Sequence, residues 1–89
     1  MKAAGNVRIE ITHLDGRCTV ATPIAAIAFD DEEDARGFLE DVAFQELRET
    51  RDACSVVAYT SAYPEVWAEA YDQGDGVVVM SGAGPGACA

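Results

Sequence analysis

The residues best suited to nucleophilic or metal chemistry in this 89-residue chain are its single histidine, His13, and two of its three cysteines, Cys18 and Cys54. The Asp15-Gly16 pair predicts a two-residue type I′ turn, which would place His13 opposite Cys18 with about 4.5–5.5 Å between their Cβ atoms. A cysteine beside an imidazole suits nucleophilic catalysis, and Cys54 would add a third zinc ligand. Because the sequence positions no Asn or Asp to orient the imidazole, we favour ordinary packing of this pair.

Three other patterns resemble functional motifs, but each lacks a defining feature. The serines, including Ser55 and Ser61, have no G-x-S-x-G context, and the segment 82–86 is not followed by the Lys-Ser/Thr of a phosphate-binding loop. The run Asp30–Asp34 lacks the glycine and final glutamate of an EF-hand loop, and is better suited to capping a helix. We therefore predict no enzymatic activity, no catalytic or metal-binding residue and no cofactor.

Hydrophobic periodicity predicts a hairpin followed by a long helix. Residues Asn6–Leu14 alternate as a half-buried strand does, and β-branched residues resume at Cys18. Pro23 has no N–H for a sheet, so the second strand either lies at an edge there or bends. From about Asp31 to Thr50, apolar residues recur every three or four positions, which indicates an amphipathic helix.

The remaining sequence predicts two more strands and a second helix. Ala53–Thr60 has the apolar run of a buried strand, Pro64–Gly74 suits a short helix, and Gly76–Met80 suits a last strand. The fold class expected is α+β: a two-layer sandwich with a four-stranded mixed sheet in the order ββαβαβ, and one long acidic helix and one short helix on one face. Residues 1–81 are expected to form one domain, and residues 82–89 a flexible Gly-rich tail.

The net charge of -10, from sixteen acidic and six basic residues, argues against direct binding to nucleic acid phosphates. The longest weakly polar run is about 12 residues, too short to cross a bilayer, so no membrane contact is expected. The N-terminal residues have no apolar stretch typical of a secretory signal. These observations predict a cytoplasmic protein with reduced thiols.

Most of the excess charge lies in one segment. Asp30 to Asp52 holds ten carboxylates and three arginines, a net charge of -7. A helix of that length spans about 34 Å, which gives one carboxylate per about 3.4 Å, close to the phosphate spacing of a single nucleic acid strand. This spacing permits mimicry of a nucleic acid.

The helical period also predicts a surface on the side of the helix away from its apolar row. There Phe44 would be exposed among carboxylates and Gly37 would leave room for close approach, as in an interface with an aromatic anchor. Alternatively, Phe44 packs under a loop or a second copy of the chain. The candidate partner-binding residues are Glu33, Gly37, Glu40, Asp41, Phe44 and Arg48.

Two functions fit these features. One is a small acidic inhibitor or binding module whose helix docks on the basic surface of a protein partner, such as a nucleic-acid-handling complex. In size, acidity and lack of a catalytic motif, the chain is similar in general character to phage-encoded anti-CRISPR and anti-restriction proteins. The other is a small homodimeric accessory or regulatory subunit, whose acidity serves solubility and whose contact uses Phe44 or the strand at Pro23.

Overall fold

The computed structural model describes the backbone of residues 3–72 and 77–83, and the side chains of residues 3–21 and 26–71. One helix packs against one face of a five-stranded antiparallel sheet with the strand order β2-β1-β3-β4-β5. The α+β class is therefore confirmed, whereas the four-stranded mixed sheet is wrong. The elements are β1 (Ala3–His13), β2 (Cys18–Phe29), α1 (Glu32–Glu49), β3 (Ala53–Thr60), β4 (Val66–Asp72) and β5 (Val77–Ala83).

The segment predicted as a second helix is strand β4, so the order ββαβαβ is also wrong. Val66, Ala68 and Ala70 are buried, while the residues between them are partly exposed, and this alternation is that of a strand. Over so few residues the same side chains also fit a helical period. The segment is a strand because it pairs with β3 and β5 on either side. The predicted last strand is present as β5, which also includes residues 82 and 83, so the flexible tail predicted to begin at residue 82 is wrong there; residues 84–89 lie outside the described residues.

The long helix has the bounds and the buried row that its sequence predicts. The Asp31 side chain caps its first turn, accepting a hydrogen bond from the Asp34 amide at 2.8 Å, and the Thr50 amide closes its last turn on the Glu46 carbonyl. The strands that α1 contacts carry three buried alanines on β3 and β4: Ala58, Ala68 and Ala70. Among the described residues, no helix is long and apolar enough to cross a membrane. The buried helix residues are Ala35, Leu39, Ala43 and Leu47.

The β1–β2 turn has three residues rather than two, which makes the predicted His13–Cys18 pair wrong. The Gly16 amide donates to the His13 carbonyl at 2.9 Å, and the His13 amide donates to the Arg17 carbonyl at 2.8 Å. Gly16 takes the positive φ of 88° that a type I turn with a bulge requires at this position. The extra residue shifts the register, so that Cys18 lies opposite Thr12, whose side chain points away from the sheet face of His13.

The two described cysteines differ in oxidation state. Cys18 is disulfide-bonded, so the prediction of a reduced thiol is wrong at this position. Cys54 is a free, half-buried thiol in β3. Cys88 lies outside the described residues.

Candidate functional site

The six candidate partner-binding residues lie on one side of α1, and we call this surface the outer helix face. Apart from the adjacent pair Glu40 and Asp41, they follow one another at three- and four-residue spacings along an uninterrupted helix, which places them on one side of it. Glu33, Asp41 and Arg48 are exposed, as is Gly37, whereas Phe44 is half-buried. The six residues therefore lie apart from the buried row, and their role in binding a partner stays a prediction.

Phe44 is the apolar centre of the outer helix face. It is not part of the hydrophobic core, and the Arg48 guanidinium lies 5.6 Å from its ring centroid. This cation–π contact covers part of the ring. A surface depression of about 370 Å³ adjoins the pair and is lined by Asp41, Phe44, Gln45, Arg48 and Glu49. Phe44 is therefore a surface aromatic beside a shallow hollow.

The carboxylates at the start of α1 differ in their contacts. Three of them are engaged locally: Asp31 caps the helix, Asp34 accepts from the Asp30 amide at 3.2 Å, and Glu32 pairs with Arg36 at 3.2 Å. These contacts confirm the capping predicted for the acidic run. Within the described part of the chain, three carboxylates of the outer helix face make no ion pair or hydrogen bond: Glu33, Glu40 and Asp41.

A second polar cluster, missed by sequence reasoning, surrounds His13. Its Nδ1 lies 2.9 Å from Asp52 Oδ1, and its Nε2 lies 3.0 Å from the Thr19 hydroxyl. The hydrogen bond with His13 lowers the pKa of the Asp52 carboxyl, and the positive charge of Arg17 adds to this effect. The order carboxylate, imidazole, hydroxyl is that of a hydrolase triad.

The surroundings of this cluster indicate a structural role. His13 is only 7% exposed, and the Asp52 carbonyl also accepts the Leu14 amide at 2.7 Å. The contacts therefore tie the β1–β2 turn to the turn that follows α1. No local sequence pattern predicts the contacts of His13 with Asp52, because Asp52 approaches His13 only when β1 pairs with β3.

The sheet face opposite α1, which we call the open sheet face, carries a third cluster. The Tyr59 hydroxyl donates a 2.5 Å hydrogen bond to the Glu10 carboxylate, and Arg8 also contacts this hydroxyl. The hydrogen bond to Glu10, followed by burial, raises the pKa of Tyr59 above its ordinary value. No described element covers this face, whose outward residues on β1, β3 and β4 include Arg8, Glu10, Val57, Tyr59, Trp67, Glu69 and Tyr71.

Neither metal ligation nor similarity to known proteins assigns a role to these three surfaces. In the part of the chain that the structure describes, no three His, Cys, Asp or Glu side chains are grouped to hold a metal ion. No family model, curated protein or solved structure matches this chain. Its function is therefore inferred from geometry and charge.

Proposed function

We propose that this protein is a small, non-enzymatic binding module that docks the outer helix face on a basic surface of a partner protein. The observation that supports this most directly is Phe44, a half-buried aromatic outside the core, one helical turn from Glu40 and Asp41, which make no ion pair or hydrogen bond among the described residues. Aromatic side chains in a polar ring are common anchors of protein interfaces. At Gly37 a partner can approach the helix backbone closely, because nothing lies within 4 Å of the position that a Cβ would take.

The charge of α1 indicates the kind of partner. The segment from Asp30 to Asp52, which contains α1 and the residues on either side of it, carries a net charge of -7, so a partner surface must be basic to approach it. Surfaces that bind nucleic acid phosphates are basic and accept rows of negative charge. We therefore propose a nucleic-acid-handling complex as the target and inhibition by occupancy of its groove as the consequence. The module itself contacts neither nucleic acid nor membrane.

The test is capture of partners from a bacterial lysate on the immobilised protein, with identification by mass spectrometry and elution by salt. We expect a basic nucleic-acid-binding protein that elutes as salt rises from about 50 to 200 mM, because screening weakens exposed charge pairs. Phe44→Ala combined with Asp41→Lys should abolish this capture. Glu65→Lys is the matched control, since it makes the same charge change at an exposed residue outside α1. Equal capture by the double variant contradicts the proposal.

A second candidate function is the homodimeric accessory or regulatory subunit. The observation that favours it is the open sheet face, where Val20 is 56% exposed opposite Glu10. Burying such a face against a second copy would remove apolar surface from water. Sedimentation velocity separates the two functions: a subunit of this kind stays dimeric at high salt, and Val20→Lys makes it monomeric.

The cytoplasm is the location we propose for the binding module. The disulfide at Cys18 argues against this location, because disulfides are rare in the cytosol. Fractionation of the producing cells, followed by thiol labelling of Cys18, decides between the cytoplasm and an oxidising compartment.

A further inference from the structure

A cavity of about 470 Å³ lies at one end of the open sheet face, where β1 begins and β3 ends. Its volume falls within the range of about 300–1,000 Å³ that is usual for small-molecule sites. The cavity is separate from the depression beside Phe44, with which it shares no described lining residue. Its lining residues are Asn6, Arg8, Tyr59, Thr60, Ser61 and Pro64.

Hydrogen bonds and a glycine hold the wall of this cavity in place. The Ser61 amide donates to the Asn6 carbonyl, and the Asn6 amide donates to the Ser61 hydroxyl, each at 3.0 Å. The Ala62 amide donates to the Thr60 hydroxyl at 3.2 Å. At Gly5, a Cβ would come within 2.5 Å of Ser61 Oγ, so only glycine permits this approach of β1. The wall is thus preformed, which lowers the entropic cost of binding a ligand.

Arg8 sets the charge of the cavity, because it is the only charged residue among the described residues that line it. A guanidinium has five N–H donors, and the Tyr59 hydroxyl accounts for one contact. The neighbouring Glu10 carboxylate accepts the short hydrogen bond from that hydroxyl. Arg8 is itself exposed, so its other donors are accessible to a molecule in the cavity.

We infer that this cavity binds a small organic carboxylate. The planar fork of Arg8 matches a carboxylate in two parallel hydrogen bonds, while the rings of Tyr59 and Pro64 offer apolar surface to the body of the ligand. A single arginine in a chain of net charge -10 favours a monoanion over a multiply charged phosphate ester. This site is independent of the proposed docking of α1.

The test is an NMR titration of the ¹⁵N-labelled chain with benzoate, and with benzamide as the uncharged probe of the same shape. We expect benzoate to shift the Asn6 and Ser61 amide signals saturably, with a Kd below about 1 mM. Benzamide should bind at least about tenfold more weakly, because it lacks the charge that pairs with Arg8.

Variants test whether benzoate binds in this cavity. Arg8→Gln should weaken benzoate binding by about tenfold or more, whereas Arg51→Gln, which removes an exposed charge in the turn after α1, should leave it unchanged. If Arg8→Gln fails to fold, Pro64→Glu replaces it, since a carboxylate at the rim should repel benzoate to a similar extent. The inference is overturned by the absence of saturable benzoate shifts, by equal binding of benzamide, or by undiminished binding in the folded variants.

Discussion

His13 and Asp52 join two turns of the molecule through a 2.9 Å hydrogen bond between the imidazole Nδ1 and the carboxylate Oδ1. The bond bridges 39 residues of sequence, and the Asp52 carbonyl reinforces it by accepting the Leu14 amide. The hairpin and the end of α1 are therefore fixed relative to each other by a buried imidazole and a partly exposed carboxylate.

Asp52→Asn should lower the thermal unfolding midpoint at neutral pH and have little effect at about pH 3. The pKa of Asp52 is lowered in the folded state, chiefly by its hydrogen bond with His13. A lowered carboxyl pKa contributes stability above the ordinary value of about 3.9, and this stability is lost as pH falls through the folded value. Circular dichroism melts of the two proteins across this pH range measure the difference.

Asp41→Asn is the matched control for this experiment. Asp41 has no ion pair or hydrogen bond among the described residues, so the substitution should leave the midpoint unchanged or slightly raised at neutral pH. A loss at Asp52 that persists undiminished at about pH 3 would show that the ionised carboxylate is not what stabilises the two turns.

Glu10→Gln should lower the pKa of Tyr59 toward its ordinary value of 10.0. The hydrogen bond to the Glu10 carboxylate is the main cause of the raised value, and an amide replaces it without a negative charge. Ultraviolet titration near 295 nm, with Tyr59→Phe to assign the signal, measures the shift. Glu69→Gln on the same sheet face should not change it, and an unchanged titration in Glu10→Gln refutes the assignment.

Two glycine-to-alanine substitutions should change the free energy of unfolding in opposite directions. Gly5→Ala places a methyl group against Ser61 and Ala62, and should cost about 1–3 kcal/mol by overpacking. Gly37→Ala meets nothing within 4 Å on α1, and should stabilise the protein by about 0.5–1 kcal/mol through helix propensity. Urea denaturation measures both, and a stabilised Gly5→Ala variant would refute the close approach of β1.

Leu39→Ala and Phe44→Ala separate the core from the outer helix face. Leu39 is fully buried, so its truncation should cost about 2–5 kcal/mol. Phe44 lies outside the core and loses mainly its contact with Arg48, so its truncation should cost about 1 kcal/mol or less. Equal losses in chemical denaturation would place Phe44 in the core and weaken the proposed function.

The elements that the sequence predicted correctly are those defined by local signals. The capping residue Asp31 and the apolar row from Ala35 to Leu47 are local signals that suffice to predict α1. β4 was predicted wrongly because Val66, Trp67, Ala70 and Tyr71 fit a helix as well as a strand, and only the neighbouring strands distinguish the two.

The functional surfaces also divide into those that local sequence predicts and those that depend on pairing between distant strands. The outer helix face could be predicted because the positions of Asp41, Phe44 and Arg48 depend on the helical period alone. The contacts of His13 with Asp52 and of Tyr59 with Glu10 depend on the pairing of β1 with β3, and on a turn one residue longer than expected. Such long-range pairing has no short sequence signature.

The irregular edge strand β2 should hinder polymerisation of the protein. A regular sheet edge offers evenly spaced amide donors and carbonyl acceptors that recruit strands from other molecules into fibrils. β2 contains Pro23, which lacks the amide hydrogen, and its register with β1 shifts twice between Gly5 and Ile9. This edge therefore makes a poor template for fibril growth, and concentrated solutions should resist strand-by-strand assembly along β2.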